Sequence, residues 1–248
     1  MQPDDFMMFN RISAATLPPF IHGVRVSIVM PVLNEGASIA ATLAALQTLR
    51  ARGHEVIVVD AGSRDATPLL AAPLADRVLS AKRGRACQMN AGAAVAKGDV
   101  LLFLHADTRL PDAALAAIEC GLRAHVWGRF DVCIEGRPRM LRVIAGLMNL
   151  RSRLSGIATG DQAIFVTRAA FDAIGGFPEL PLMEDIEFSR RMHGFGRPAC
   201  LSSRVVTSGR RWERHGVWRT ILLMWRLRFD YWRGVPAARL AARYESGA

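Results

Sequence analysis

Residues 100–109 read VLLFLHADTR, and this stretch decides the fold. Its apolar first half is typical of a short strand buried on both faces in the middle of a sheet. The chain then turns polar at His105 and Asp107, before Pro111 opens a helix. In an open α/β sheet, ligands bind just beyond the carboxyl ends of the strands. The carboxylate of Asp107 is therefore placed to hold a divalent cation, although an isolated Asp more often caps a turn.

A repeated order of strand, polar loop and helix precedes this stretch. Predicted strands cover residues 24–30, 54–59 and 78–80, and predicted helices cover residues 37–50 and 86–96. We expect Pro31 to end the first strand. Strands that alternate with helices are typical of parallel βαβ units with right-handed crossovers. The sequence therefore predicts an α/β fold with a mostly parallel central sheet.

After residue 125 the pattern is less regular. Predicted strands cover residues 127–134 and 163–167, and predicted helices cover residues 139–155, 169–174, 184–193 and 217–232. The first half has the pattern of a nucleotide-binding sheet, and we expect the second half to face an acceptor. The expected organisation is an irregular leader (1–23), one domain (24–211) and a basic amphipathic helical tail (212–248).

Composition and charge indicate a folded protein with anionic partners. The 248 residues are 51% hydrophobic and carry a formal net charge of +10. After residue 205, nine Arg face three acidic residues. Such an excess favours partners that carry phosphate or an anionic surface. Residues 217–232 mix Trp with Arg, as an interfacial helix does, but a helix packed on its own domain or on a second subunit of a homodimer fits equally well.

The cysteines and the hydrophobic segments indicate in which cellular compartment the protein is located. Cys87, Cys120, Cys133 and Cys200 lie far apart, which argues against a zinc ribbon and a disulfide framework. No run reaches the roughly 18 apolar residues of a membrane span. The first 20 residues lack the basic cluster and apolar core of a signal peptide. We therefore expect a cytoplasmic protein, peripheral on the inner face of the membrane if its tail binds lipid.

Polar loops follow the first four predicted strands. Three are acidic or amide-bearing, at residues 34–35, 60–65 and 107–108, and the fourth is a basic run at residues 82–85. Because the carboxyl ends of parallel strands share one edge, these side chains should converge on one crevice. Carboxylates for ribose hydroxyls, Arg for phosphate and a metal on Asp107 suit a nucleoside diphosphate. The alternative is that these residues only cap the helices that follow.

Six segments resemble, in order, the motifs of family 2 glycosyltransferases of GT-A fold. They are VSIVMPVLNE (26–35), VIVVDAGSRD (56–65), GRACQMNAG (84–92) with AKGD (96–99), FLHADT (103–108), GDQ (160–162) and LMED (182–185). Each motif is weak by itself, but the ordered set is specific and spans about residues 24–211. The chain also resembles a bacterial subgroup labelled arsenosugar-biosynthesis glycosyltransferases, although none of its residues specifies an arsenical acceptor.

The resemblance implies a nucleotide-sugar donor, UDP-linked in most of the family, and Mg²⁺ or Mn²⁺ as the cation. The residues it places at the nucleotide are Pro31, Asn34, Glu35, Asp60, Arg83, Ala106 and Asp107. Asp107 also falls on the metal-binding acid of the family's D-x-D motif. His105 replaces the first Asp of that motif, which puts metal dependence in doubt. Asn90 falls on a structural position.

The resemblance also makes Asp185 the general base, which takes a proton from an acceptor hydroxyl during an inverting displacement. Without the motif, Glu184 and Asp185 would read as first-turn helix acids. Asp161, Glu184, Arg210 and Arg211 are placed toward the acceptor or the diphosphate, although residues 208–215 also fit a solvated basic loop. The five Arg within residues 137–153 either help to hold an anionic acceptor or lipid, or form a solvated helix face. The acceptor, lipid-linked or a small molecule, is not specified.

Two other functions stay open at this point. A nucleotidyltransferase on a similar sheet would carry a glycine-rich loop with a phosphate-binding Lys near the first strand, and PVLNEG (31–36) lacks it. A non-catalytic protein could use the basic tail to bind a membrane surface or nucleic acid. Asp107 and Asp185 argue against that second alternative, and no RNA-binding motif supports a nucleic-acid partner.

Overall fold

The computed structural model describes residues 23–246, so the predicted leader lies outside the described residues except for Gly23. Within this range the strands form one sheet. They are β1 (Val26–Val32), β2 (Glu55–Asp60), β3 (Arg77–Ser80), β4 (Val100–Phe103), β5 (Thr108–Arg109), β6 (Trp127–Glu135), β7 (Ile164–Thr167) and β8 (Ala199–Ser208). Their order across the sheet is β3-β2-β1-β4-β7-β6-β8-β5.

The first half of the sheet is parallel, as predicted. β1 pairs in parallel with β2 and β4, and β2 pairs in parallel with β3. β7 is antiparallel to β4 and β6, whereas β6 and β8 are parallel. All residues of β2 and β4 are buried, because helices cover both faces of a parallel sheet.

Helices flank the sheet. They are α1 (Ile39–Ala44), α2 (Gln47–Ala51), α3 (Thr67–Ala71), α4 (Arg85–Val95), α5 (Ala114–Leu122), α6 (Met140–Ser155), α7 (Arg168–Ala173), α8 (Glu184–Met192), α9 (Arg210–His215), α10 (Val217–Trp232) and α11 (Ala237–Ser246). The predicted bounds of α10 are confirmed. Among the described residues, no helix is both long and apolar enough to cross a bilayer.

Pro31 does not end the first strand, contrary to the prediction. β1 continues to Val32, whose carbonyl accepts a hydrogen bond from Ala61 beyond β2. Backbone groups of alternate residues point to opposite neighbours, so Pro31 faces the β4 side, where the pairing of β1 already ends at Val29. The missing N–H of Pro31 therefore costs no ladder hydrogen bond.

Other differences concern the less regular segments. The helix predicted over residues 37–50 is two short helices, because Leu46 N–H bonds to the Leu43 carbonyl in a tighter i→i+3 turn. β8 and α11 were not predicted, and residues 210–215 form α9 instead of a loop. β8 lacks a clean two-residue alternation of buried and exposed side chains, and its register with β6 shifts at Phe130 and Asp131.

The tail packs against the domain through one side of α10. Leu223 and Leu227 form a small buried cluster with Leu240 of α11 and Met183, which precedes α8. α4 packs closely on β1, since a Cβ on Gly92 would lie 2.4 Å from Val29. α4 begins at Arg85, directly after the loop that follows β3, so its first turn lies near the edge where the parallel strands end.

Candidate active site

The loops after β1 and β2 are joined by hydrogen bonds at the edge where these strands end. The Asn34 N–H donates to the Ser63 hydroxyl (2.8 Å), and the Arg64 N–H donates to the Asn34 side-chain oxygen (2.8 Å). Asn34 has φ +54°, a left-handed conformation that Asn tolerates better than most residues. The Gly36 N–H adds a third link by donating to Asp65. These bonds hold the first wall of the crevice in place.

Asp60 ends β2 with its carboxylate turned toward the residues that follow it. The carboxylate accepts hydrogen bonds from the N–H groups of Gly62 and Ser63 and from the Ser63 hydroxyl. Only 4% of Asp60 is exposed. Gln88 of α4 donates to carbonyl groups at the ends of both β1 and β2 and ties them together. Asp60 thus shapes its turn, and any contact with a base or ribose would be a second role.

Asp107 follows β4 and faces the start of α9. The Arg210 Nη2 lies 3.7 Å from Asp107 Oδ2 and 3.2 Å from Glu35 Oε2. Desolvation lowers the pKa of Arg210, but the hydrogen bond and charge of Glu35 and the charge of Asp107 raise it above its ordinary value. The structure therefore brings three predicted site residues together, from loops that are far apart in the chain.

Asp107 fits the binding mode in which a protein shares a cation with a phosphate. No group of three or more His, Cys, Asp or Glu side chains among residues 23–246 is arranged to enclose a metal. Mg²⁺ is commonly bound through one or two carboxylates together with substrate phosphates. The Asp107 side chain is 31% exposed, so its carboxylate is accessible for that role.

His105 is directed at Asp161. Its Nδ1 lies 3.4 Å from Asp161 Oδ1. A Cβ on Gly160 would lie 2.5 Å from the His105 ring, so only glycine permits this close approach. Burial raises the pKa of Asp161, but the hydrogen bond and charge of His105 and the charge of Arg85 lower it below its ordinary value. The residue that departs from the family motif therefore links the β4 loop to the turn at residues 160–162.

Asp185 faces the same turn from the start of α8. The Gly160 N–H donates to Asp185 Oδ2 (3.1 Å), and the Ile186 N–H donates to Oδ1 (2.8 Å). Glu184 beside it is only 5% exposed. Burial raises the pKa of both carboxyls, and the charge of Asp185 contributes to raising that of Glu184 to about 7. A raised pKa suits a general base, which works best near the operating pH.

The charges of Arg85 and Arg151 also act on this acidic group. The sequence assigned them only as members of basic runs, at residues 82–85 for phosphate and at residues 137–153 for an anionic acceptor or lipid. Desolvation lowers the pKa of Arg85, but the neighbouring Tyr244 and the carboxylates of Glu184, Asp161 and Asp185 raise it above its ordinary value. Desolvation also lowers the pKa of Arg151 on α6, against the opposing charges of Asp185 and Asp161. Its Nε and Nη2 atoms are buried and have no hydrogen-bond partner. The sequence signal for Arg85 is its place within GRACQMNAG (84–92), whereas the resemblance placed Arg83, just before that motif, at the nucleotide.

The remaining predicted residues make contacts of other kinds. Arg211 stacks on the Tyr244 ring at 3.6 Å and donates to the Tyr244 carbonyl (3.0 Å), so it holds α11. The charge of Arg211 also helps to lower the pKa of Asp161. Arg83 is exposed in the loop before α4. Pro31 lies within β1, and Ala106 is buried, with its carbonyl bonded to the Thr42 hydroxyl (2.7 Å).

Asn90 has the structural role predicted for it. Its side chain donates to the Phe177 carbonyl (2.8 Å) and accepts from the Phe177 N–H (2.9 Å). This pair joins α4 to the segment that leads into α8. Asn90 therefore positions the helix of Asp185 from a distance.

Comparison with known families gives a match over more than half of the chain. Residues 27–169 match the model described as glycosyl transferase family 2. These residues include the loops after β1, β2 and β4 and the turn that contains Asp161. A comparison with curated proteins finds no match.

Solved structures show the same fold at low sequence identity. The mannosyltransferase PcManGT from Pyrobaculum calidifontis, in complex with GDP-Man and Mn²⁺, is 23% identical, with a TM-score of 0.61 over 82% of this chain and 62% of that one. S. aureus TarS 1–349 with UDP-GlcNAc is 19% identical, with a TM-score of 0.56 over 74% and 58% of the two chains.

A third structure is glucosyl-3-phosphoglycerate synthase from Mycobacterium tuberculosis with Mn²⁺, UDP and glucosyl-3-phosphoglycerate. It is 19% identical, with a TM-score of 0.53 over 73% of this chain and 71% of that chain. The present chain spans about three fifths of the length of the PcManGT and TarS chains that it matches. The predicted fold class, a mostly parallel sheet flanked by helices, is confirmed.

Proposed function

The chain belongs to glycosyl transferase family 2, and from this premise we propose that it transfers a sugar from a nucleotide-diphosphate sugar to an acceptor hydroxyl. The observation that carries the proposal is a line of contacts from the donor loop to the base. His105, next to the Asp107 loop, contacts Asp161, and the N–H of the adjacent Gly160 binds the Asp185 carboxylate. Donor-side and acceptor-side carboxylates thus share one crevice.

On the donor side, the proposed roles follow from the contacts described above. The β1 and β2 loops, with Asn34 and Asp60, form the wall for the nucleoside. Arg210 is placed to donate to diphosphate oxygens, since its guanidinium already contacts the carboxylates of Glu35 and Asp107. Asp107 is the residue that would hold Mg²⁺ or Mn²⁺. A cation bound there would neutralise charge that develops on the departing diphosphate.

On the acceptor side, Asp185 takes the proton of the attacking hydroxyl. The acceptor oxygen bonds to the anomeric carbon while the bond from that carbon to the diphosphate oxygen breaks. A single displacement from the opposite face inverts the configuration. Arg85 balances the charges of Glu184 and Asp185, and so keeps the acidic group compatible with an anionic donor nearby.

The donor is UDP-linked in this proposal. Two of the compared structures hold UDP or UDP-GlcNAc, and PcManGT holds GDP-Man. The first step is therefore a thermal-shift comparison of UDP and GDP, each with and without Mn²⁺. Neither the residues nor the compared structures support an arsenical acceptor in particular.

The test compares wild type with Asp107→Asn, and Asp112→Asn is the control because Asp112 is exposed in the following loop. We expect one nucleotide to raise Tm by several degrees with Mn²⁺, in wild type and in Asp112→Asn only. An equal shift in Asp107→Asn would refute the metal role. No shift with any nucleotide would refute the donor assignment.

A further inference from the structure

The outer side of α10 carries an exposed apolar stripe with a seven-residue repeat. Five large apolar residues are more than half exposed: Trp218, Leu222, Trp225, Phe229 and Trp232. Their spacing of four and three residues places all five along one face of the helix. Large apolar patches on a protein surface mark sites of interaction. This face, defined by those five residues, is the α10 stripe.

Each Trp of the α10 stripe is followed directly by Arg, at positions 219, 226 and 233. All three Arg are exposed, and residues seven apart lie on the same helix face. The helix has one acidic residue, Asp230, which pairs with Arg243 of α11 at 2.6 Å and lies 4.0 Å from the Arg226 guanidinium. The three Arg thus keep a net positive charge. The stripe is therefore bordered by positive charge.

The inner side of α10 connects this surface to the proposed active site. Leu223 and Leu227 pack with Met183, which lies two residues before Asp185. Arg210, on the short helix before α10, contacts Asp107. A surface that docks on the α10 stripe would thus lie about one helix diameter, roughly 10 Å, from the helix of Asp185.

We propose that the α10 stripe docks on an anionic phospholipid bilayer. Trp side chains favour the headgroup level of a membrane, and Arg beside them attracts anionic lipid. A second copy of the chain suits the stripe less well, because pairing two such faces would bring the repeated Arg residues of both copies together. A further exposed stripe lies on α6, at Met140, Val143, Leu147, Leu150 and Leu154, but it lacks the repeated Trp-Arg pairs.

The experiment measures co-sedimentation of the full chain with vesicles of phosphatidylglycerol and phosphatidylcholine, and with vesicles of phosphatidylcholine alone. The apolar variant is Trp218→Ser/Trp225→Ser/Trp232→Ser, with Leu69→Ser as control because Leu69 is 76% exposed on α3. The charge variant is Arg219→Gln/Arg226→Gln/Arg233→Gln. Its control, Arg52→Gln/Arg123→Gln/Arg204→Gln, removes the same number of exposed charges elsewhere.

We expect wild type and both controls to bind the anionic vesicles, and the apolar variant to lose at least tenfold in partitioning. Each Arg near an anionic surface increases partitioning onto the vesicles by a factor of about five. The charge variant lacks three of them, so its partitioning should fall on the order of a hundredfold. Circular dichroism and nucleotide-induced Tm shifts, unchanged in each variant, establish that the fold is intact.

Absence of vesicle binding by wild type would overturn the proposal, as would equal loss in the matched controls. Sedimentation velocity tests whether a second copy of the chain covers the α10 stripe instead. If wild type forms a dimer, the apolar variant does not, and neither binds vesicles, the stripe is a dimer interface. Nucleotide binding is measured separately, so failure of the membrane proposal leaves the proposed glycosyl transfer unaffected.

Discussion

Arg210 Nη2 lies 3.7 Å from the Asp107 carboxylate, so a cation at the start of α9 faces the acid that follows β4. The same guanidinium lies 3.2 Å from Glu35 after β1. One Arg therefore bridges two loops of the sheet edge and partly neutralises the acid proposed to hold the metal. A bound diphosphate would compete for this guanidinium and leave Asp107 available to a cation.

Replacement of Arg210 by Gln should separate nucleotide binding from metal binding. We expect Kd for the nucleoside diphosphate to rise roughly ten- to a hundredfold, since a charge-assisted hydrogen bond contributes about 1.5–3 kcal/mol. Mn²⁺ binding without nucleotide should not weaken, because Asp107 loses a competing cation. Calorimetric titration measures both. Arg214→Gln on the same helix is the control, and a variant that weakens Mn²⁺ alone would contradict the assignment.

Replacement of Asp185 by Asn should remove the general base and keep the donor site. We expect kcat to fall by about 10²–10⁴, the usual contribution of general acid–base catalysis. KM for the nucleotide sugar should change little, because the Asn oxygen can still accept from Gly160. The measurement is initial-rate kinetics of nucleotide release. Glu187→Gln, two residues further along α8, should retain most activity, and equal losses in both variants would indicate a structural effect.

The Glu184 carboxyl should make stability depend on pH. Its pKa is raised by burial and by Asp185 to about 7, so the folded state favours the protonated form. Its stabilising contribution is therefore complete below about pH 4 and is lost as pH rises toward 7. We expect Glu184→Gln to increase the free energy of unfolding by about 1–3 kcal/mol at pH 8 and much less at pH 4. Urea titrations at both pH values test this, and a difference that is the same at both would contradict it.

Arg151 should reduce stability in favour of function. Two of its guanidinium nitrogens are buried without partners, and burial of unpaired polar groups costs free energy. We expect Arg151→Met to stabilise the fold by about 1–3 kcal/mol and to lower kcat, because a charge opposite Asp185 and Asp161 is lost. Denaturant unfolding and kinetics on one preparation measure both effects. Arg142→Met, exposed on the same helix, should change neither, and an unstable but active Arg151→Met would refute this view.

The contribution of Asp161 to stability should depend on pH in the opposite direction to that of Glu184. Burial raises the pKa of Asp161, but His105 and Arg85 lower it below its ordinary value, so its stabilising contribution is present at neutral pH and is lost as pH falls below about 4. We expect wild type to lose more stability between pH 6 and pH 3 than Asp161→Asn does. Thermal denaturation across that range measures the difference. Identical pH profiles for the two proteins would exclude the proposed interaction.

Much of the fold could be predicted because strand signals are local. The apolar run at residues 100–104 and the β-branched runs before it form β4, β1 and β2 nearly as expected. The parallel arrangement then places the residues after each strand at one edge, which is why Glu35 and Asp107 were assigned to one crevice. β8 escaped prediction because its pairing with β6 depends on a distant strand and includes a register shift.

The sequence by itself determined the fold class, the edge that carries the site and the order of the motifs, since these depend on short-range patterns of apolar and polar residues. Only the tertiary structure decided which Arg side chain lies near which acidic side chain. Arg210 rather than Arg211 reaches Asp107, the charge of Arg85 acts on Asp185, and His105 meets Asp161. Adjacent Arg side chains are indistinguishable by local pattern, and their directions depend on the helix phase and on partners far along the chain.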